Sequence, residues 1–139
     1  MKKIILLGLA GAITLSQGVF ANTNDNITSS QSYNMSVITG DNSNKKIPVK
    51  VELDGRHNIA VSKNYINDVA EVAFTRAKSS GLKNPYSLKP REVIVEQVSN
   101  TLEVIAKYTA ENSYGADVPG EYRIVKFLGR DGLYHDKPE

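Results

Sequence analysis

Thr101-Leu-Glu-Val-Ile-Ala-Lys-Tyr-Thr-Ala-Glu111 is the stretch that decides the fold of this chain. Every second residue is apolar, and most of the residues between them are polar or charged; the apolar set is Leu102, Val104, Ala106, Tyr108 and Ala110. Successive side chains of a strand point to opposite faces of its sheet, so this strand would have one buried and one solvated face. That combination is typical of antiparallel sheets. The pattern therefore predicts a long antiparallel strand over residues 101–111.

Shorter strands flank this stretch on both sides. We predict a strand over residues 92–98, joined to the long strand by a tight turn at Ser99-Asn100, and another over 121–128 after a loop at 112–120. The apolar positions of the 121–128 segment slip by one residue, which indicates either a bulge or a strand buried on both faces. A last short strand at 133–135 would follow the turn formed by 129–132.

One helix is predicted over residues 65–80. Its apolar residues recur at steps of three and four and form one stripe, made of Ile66, Val69, Ala70, Ala73, Phe74 and Ala77. Ser62 or Asn64 can cap its first turn with a side-chain oxygen, and Gly81 can end it in a left-handed conformation. The stripe predicts that the helix packs on a sheet.

Upstream of the helix, alternating apolar residues at 47–53 predict a strand. Asp54-Gly55 is a hairpin turn signal, and 56–61 would form the returning strand. The fold class predicted from these elements is α+β, with one helix packed on an antiparallel sheet in the order β-β-α-β-β-β and an optional last strand. The single domain would cover residues 46–135, with a tail at 136–139.

The first 21 residues resemble a cleaved signal peptide. Lys2 and Lys3 precede an apolar stretch, and Val19-Phe20-Ala21 ends in small residues of the kind that a signal peptidase accepts. The apolar stretch is shorter than the roughly 20 residues that a membrane-spanning helix needs. We therefore expect a bacterial protein of the periplasm or the extracellular space with no membrane anchor after cleavage. Residues 22–45 are rich in Asn, Ser and Thr and are predicted to form a flexible polar leader, with residues 33–38 as one possible short strand within it.

Composition excludes several classes of function. The chain contains no cysteine, so it has neither disulfides nor thiolate metal ligands nor a cysteine nucleophile. It has 17 Lys and Arg residues against 15 Asp and Glu residues, and loss of Lys2 and Lys3 would make the two numbers equal. Nucleic acid is therefore not expected as a partner, because no long-range basic field would remain.

Motifs for catalysis are also missing from the sequence. His57 and His135 have no second histidine at i+4, and His135-Asp136 is best explained as an exposed chain end. The positions of Glu103 and Glu111 are explained more simply if both lie on the solvated face of a strand. We expect no catalytic residue, no metal ligand and no cofactor.

Tyrosine dominates the aromatic residues, with seven Tyr, three Phe and no Trp. Tyrosine combines a large contact area with a polar tip and is enriched in protein interfaces. Tyr86 and Tyr114 fall in predicted loops rather than in alternating core positions. We expect Tyr86, Tyr114 and the neighbouring loop residue Asp117 to contact a partner.

Two motifs are similar to those of a group of small exported bacterial α+β domains of unassigned function. The first is Leu82-Lys-Asn-Pro-Tyr-Ser87; the second runs from Ala110-Glu-Asn-Ser-Tyr-Gly115 through Val118-Pro-Gly-Glu-Tyr122. The chain departs from the group's pattern at Asn84 and Ala116 and lacks the cysteine that some members carry before the long strand. The resemblance covers about residues 82–127, and it implies the fold and export but no reaction.

Three functions are compatible with the sequence. The first is an exported, non-catalytic binding or accessory protein whose partner is another protein or an envelope component. The second is a small hydrolase that uses two carboxylates, which would have to converge in a cleft at about 5–9 Å. The third is a structural subunit of an envelope or secreted assembly.

Overall fold

The computed structural model describes residues 25–54 and 59–139. It contains, in chain order, the elements β1 (Asn26–Ile27), β2 (Gln31–Ile38), β3 (Asn44–Glu52), β4 (Val61–Ser62), α1 (Lys63–Ser79), a 3-10 turn (Pro85–Ser87), β5 (Lys89–Val98), β6 (Thr101–Glu111), β7 (Asp117–Leu128) and β8 (Tyr134–His135). Within these described ranges, no helix is long and apolar enough to cross a membrane.

Six strands form one sheet in the order β2-β3-β5-β6-β7-β8, and β1 pairs with β4 in a separate two-stranded ribbon. All neighbours in the large sheet are antiparallel except β3 and β5, which run parallel. Parallel neighbours require a crossover connection, and here α1 lies within it. The predicted α+β class with mainly antiparallel pairing is confirmed, whereas the sheet is mixed and richer in strands than predicted.

The predicted hairpin of 47–53 with 56–61 is not formed within the described residues. Strand β3 pairs with β2 and β5 instead. The structure describes residues 59–61 of the expected returning strand, and among these only Val61 lies in a strand, the short β4, which pairs with β1. Gly55 and His57, which belonged to that prediction, lie outside the described residues. Alternation shows that a segment is a strand, but it does not identify the neighbouring strand.

The sheet begins well before residue 46, in the segment predicted as a flexible leader. Strand β2 pairs with β3 over eight residues, from Gln31 opposite Val51 to Ile38 opposite Asn44. Met35 and Val37 on its helix-facing side are 3% and 5% exposed. An edge strand of this kind needs few apolar residues, because only alternate positions enter the core.

Helix α1 matches the sequence prediction closely. All six residues of the apolar stripe are buried, and the side chain of Ser62 accepts a hydrogen bond from the Tyr65 backbone N–H at the first turn. Gly81 has a φ of +91° just beyond the helix end, as a left-handed cap requires. The stripe packs on the same sheet face as the alternating apolar residues of β6, which are all buried.

Strand β6 has the predicted bounds, but β7 begins at Asp117 rather than Glu121. The register between them runs without a break from Thr101 opposite Phe127 to Glu111 opposite Asp117, so β7 has no bulge there. The irregular apolar pattern of β7 instead reflects apolar side chains on both faces of the strand. Ile124 is buried on the helix side, and Phe127 is half-buried on the opposite face, where Ile105 is 6% exposed.

Candidate functional site

Three connecting segments lie at one end of the sheet, and we refer to residues 39–43, 84–88 and 112–117 together as the loop end. The first segment joins β2 to β3, the second precedes β5, and the third joins β6 to β7 and includes the first residue of β7. They share one end because β2 and β6 finish where β3, β5 and β7 start, as the strand registers require.

Direct contacts hold the three segments of the loop end together. The Ser87 side-chain oxygen accepts a hydrogen bond from the Glu111 backbone N–H at 2.8 Å, and the Asn84 amide donates to the Glu111 carboxylate at 3.3 Å. Gly40 lies so close to Tyr86 that a Cβ on Gly40 would be 2.1 Å from the Tyr86 carbonyl oxygen. The loop end is therefore one packed surface rather than three independent loops.

The 39–43 segment is held by its own side chains. The Thr39 hydroxyl, in a residue only 7% exposed, contacts the Asp41 carboxylate and lies 2.7 Å from the Ser43 hydroxyl. The Ser43 backbone N–H and hydroxyl also donate to Asp41, at 3.1 and 2.7 Å. Hydrogen bonds donated to Asp41, above all by Thr39 and secondly by Ser43, lower the pKa of Asp41 to about 2. This carboxylate is therefore ionised at neutral pH.

The 112–116 turn is organised by Asn112 in a similar way. Its side-chain oxygen accepts hydrogen bonds from the backbone N–H groups of Tyr114 at 2.9 Å and Ala116 at 3.0 Å. Gly115 has a φ of +77°, a conformation that favours glycine. These hydrogen bonds therefore fix the backbone of the turn that carries the Tyr114 ring.

The structure brings the three predicted partner-contacting residues to this one surface. Tyr86 and Tyr114 are 84% and 92% exposed, the highest values among the large apolar and aromatic side chains of the described residues. Asp117 is the first residue of β7 rather than a loop residue. Its carboxylate lies 3.0 Å from the Lys89 ammonium and 3.9 Å from the Arg91 guanidinium, so its charge is balanced locally.

A cleft of about 500 Å³ opens between the loop end and helix α1. Buried Phe74 lies on its helix side, and exposed Glu71 and Thr75 and half-buried Lys78 lie along the same helix. The remaining lining residues come from the 39–43 segment, the end of β2 and the exposed aromatic ring: Val37, Ile38, Thr39, Gly40, Asn42 and Tyr86. The cleft could not be predicted from the sequence, because no local pattern indicates that residues 39–43 pack beside 71–78.

The cleft does not provide the groups of a carboxylate-dependent hydrolase. Glu71 is the one carboxylate among its lining residues. Three carboxyl groups outside the lining of the cleft, those of Asp41, Asp131 and Asp136, have lowered pKa values, which suits them poorly to act as general acids. Hydrogen bonding is the main cause in each case, from Thr39, His135 and Lys126 respectively.

A second cluster of polar groups lies at the opposite end of the sheet. The His135 Nε2 atom is 2.9 and 3.0 Å from the two carboxylate oxygens of Asp131, while Asp136 pairs with Lys126 instead of with His135. One ligand atom each from Asp131, His135 and Glu139 lies within 4.8 Å of the others, in a site that is largely exposed. Imidazole and carboxylate groups could hold a divalent cation such as Zn²⁺.

We expect the pKa of His135 to fall towards 6.5 in the variant Asp131→Asn. The hydrogen bond to Asp131 raises the pKa of His135 above that value, because the carboxylate favours the charged imidazolium. The raised pKa adds stability that is present below pH 6.5 and is lost as the pH rises through the folded-state pKa. An NMR titration of the imidazole protons in a His57→Ala background would measure this; an unchanged pKa would contradict the pairing.

Comparison of the chain with protein-family models, curated proteins and solved structures finds no significant match to any of them.

Proposed function

We propose that this chain is an exported, non-catalytic binding protein that acts in the periplasm or outside the cell and contacts another protein, or an envelope component, through the loop end. One observation carries this proposal. Tyr86 and Tyr114, the most exposed aromatic side chains of the described residues, lie on segments that meet at the end of β6. Ser87, next to Tyr86, accepts a hydrogen bond from the Glu111 backbone N–H, and the turn that carries Tyr114 follows Glu111 in the chain.

Tyrosine is well suited to such a contact because its ring supplies area while only two side-chain torsions must be fixed. Exposure of both rings leaves their apolar area free for a partner. The hydrogen bonds of Asn112 and Asp41 fix the supporting backbone before binding. Such preorganisation lowers the entropic cost of association.

The charges around the loop end favour recognition by shape over recognition by electrostatic attraction. Asp117 is balanced by Lys89 and Arg91, the cleft carries both Glu71 and Lys78, and the ionised Asp41 is compensated by hydrogen bonds from within its own segment. A surface of balanced charge neither attracts nor repels a charged polymer over long distances. This argues for a folded partner of complementary surface rather than for nucleic acid.

Site-specific photocrosslinking would test the proposal in the cell envelope of an expressing bacterium. A photoreactive phenylalanine analogue replaces Tyr86 or Tyr114, and in matched controls it replaces Val98 or Leu133, which are 57% and 63% exposed at the opposite end of the sheet. We expect one common adduct from positions 86 and 114 and none from 98 or 133. Equal adducts from both ends, or from neither end, would refute the assigned surface.

Export is tested separately by the N-terminus of the purified protein. Cleavage after Ala21 predicts a chain that begins at Asn22. A chain that still carries Met1 and fractionates with the cytosol would refute export, whatever the crosslinking shows.

A further inference from the structure

The two edges of the six-stranded sheet differ in their protection against pairing with another strand. Strand β2 is one edge, and β7 forms most of the other because β8 pairs only with its residues Phe127 and Leu128. Among the described residues, no strand pairs with the outer side of β2 or with that of 117–126. Such an edge presents N–H and C=O groups that a further strand can engage.

The β7 edge carries several features that discourage such pairing. Pro119 lacks an N–H group, Gly120 weakens the strand, and charged side chains follow along it: Glu121, Arg123 and Lys126. Strand β2 has none of them. Its sequence, Gln31-Ser-Tyr-Asn-Met-Ser-Val-Ile38, contains no charged residue, no proline and no glycine.

Strand β2 is also fixed in position, which a docking edge requires. All eight residues pair with β3, and Met35 and Val37 anchor the strand in the core. On the opposite face Ser32, Asn34 and Ser36 are exposed. A strand whose alternate side chains are buried cannot slip by one residue without exposing them.

We propose that β2 pairs antiparallel with β2 of a second copy of this chain. A two-fold axis perpendicular to the sheet at Asn34 sets Ser32 opposite Ser36 of the second copy, and Tyr33 opposite its Met35. Every pair is uncharged, so the two edges meet without like-charge repulsion, and their lengths match by symmetry. The product is one continuous twelve-stranded sheet with both helices on the same face.

Sedimentation velocity of the full exported chain tests the pairing. We expect a reversible monomer–dimer equilibrium with a dissociation constant on the order of micromolar, because a single strand pair gives a small interface. The variant Asn34→Lys places two ammonium groups opposite each other and should raise that constant at least about tenfold. The control Val118→Lys adds the same charge to the β7 edge, where Val118 is 44% exposed, and should leave the dimer unchanged.

Two further measurements separate a specific interface from simple loss of folding. A mixture of Asn34→Lys with Asn34→Glu should restore the dimer as a mixed pair. Because the chain contains no cysteine, Asn34→Cys should form a disulfide-linked dimer on mild oxidation, whereas Ser36→Cys should do so far less. A protein that stays monomeric throughout the concentration range, or a dimer insensitive to Asn34→Lys, would overturn the proposal.

Discussion

Replacing Gly40 by alanine is expected to separate the 39–43 segment from the 84–88 segment and to abolish crosslinking through Tyr86. The added Cβ would lie 2.1 Å from the Tyr86 carbonyl oxygen and 3.1 Å from its carbonyl carbon. Both atoms belong to the backbone, so no side-chain rotation can relieve the clash. Overpacking of this kind costs about 1–3 kcal/mol of stability, and the cleft beside Phe74 would change shape with it.

The control for this experiment is Gly115→Ala in the neighbouring turn. A Cβ there meets nothing within 4 Å, and the cost comes only from the φ of +77°, about 1 kcal/mol. Chemical denaturation gives the two stability changes, and crosslinking from position 86 reports the state of the surface. A Gly40→Ala protein with unchanged stability and crosslinking would show that the two segments do not touch.

The variant Phe74→Ala is expected to cause the largest loss of stability, about 3–5 kcal/mol. Phe74 is 3% exposed within the helix stripe that covers the sheet. Its removal leaves a cavity that the surrounding strands can only partly fill. For a domain of this size the melting temperature should fall by roughly 10–20 °C.

Val72→Ala, two positions away on the same helix, serves as the matched control. Val72 is 43% exposed, so its truncation should change the free energy of unfolding by less than about 0.5 kcal/mol. Thermal unfolding followed by circular dichroism measures both variants. Equal effects at the two positions would contradict the orientation of the helix on the sheet.

The sequence predicted those elements whose periodicity is local. The stripe of α1, its Ser62 cap and the bounds of β6 all follow from spacing within one segment, and the structure confirms them. The parallel pairing of β3 with β5 could not be predicted in this way, because Val49 and Val93 are brought together by a crossover. A short strand was expected as one possibility within the polar leader at residues 33–38, and strand β2 confirms it over the longer range Gln31–Ile38; its place in the main sheet was not predicted, because its exposed Ser and Asn residues resemble those of a polar linker.

The candidate site was predictable in its residues but not in its arrangement. Tyr86 and Tyr114 stand out in sequence as loop aromatics, and the structure places both on the surface. The two tyrosines share a surface with residues 39–43 because Gly40 packs against the backbone of Tyr86 and because Asn84 and Ser87 form hydrogen bonds with Glu111. No local pattern encodes such contacts, since they arise only when the strand order of the sheet is set.

The parallel neighbours in the middle of the sheet have a consequence for biogenesis. Strand β3 pairs with β2 on one side, and its pairing on the other side is complete only when β5, which follows the helix in the chain, has been made. Synthesis proceeds from the N-terminus, so the β2–β3 hairpin emerges without its central neighbour. Pairings between distant segments form slowly, so the open side of β3 stays available for incorrect pairing until residues 89–98 have been made.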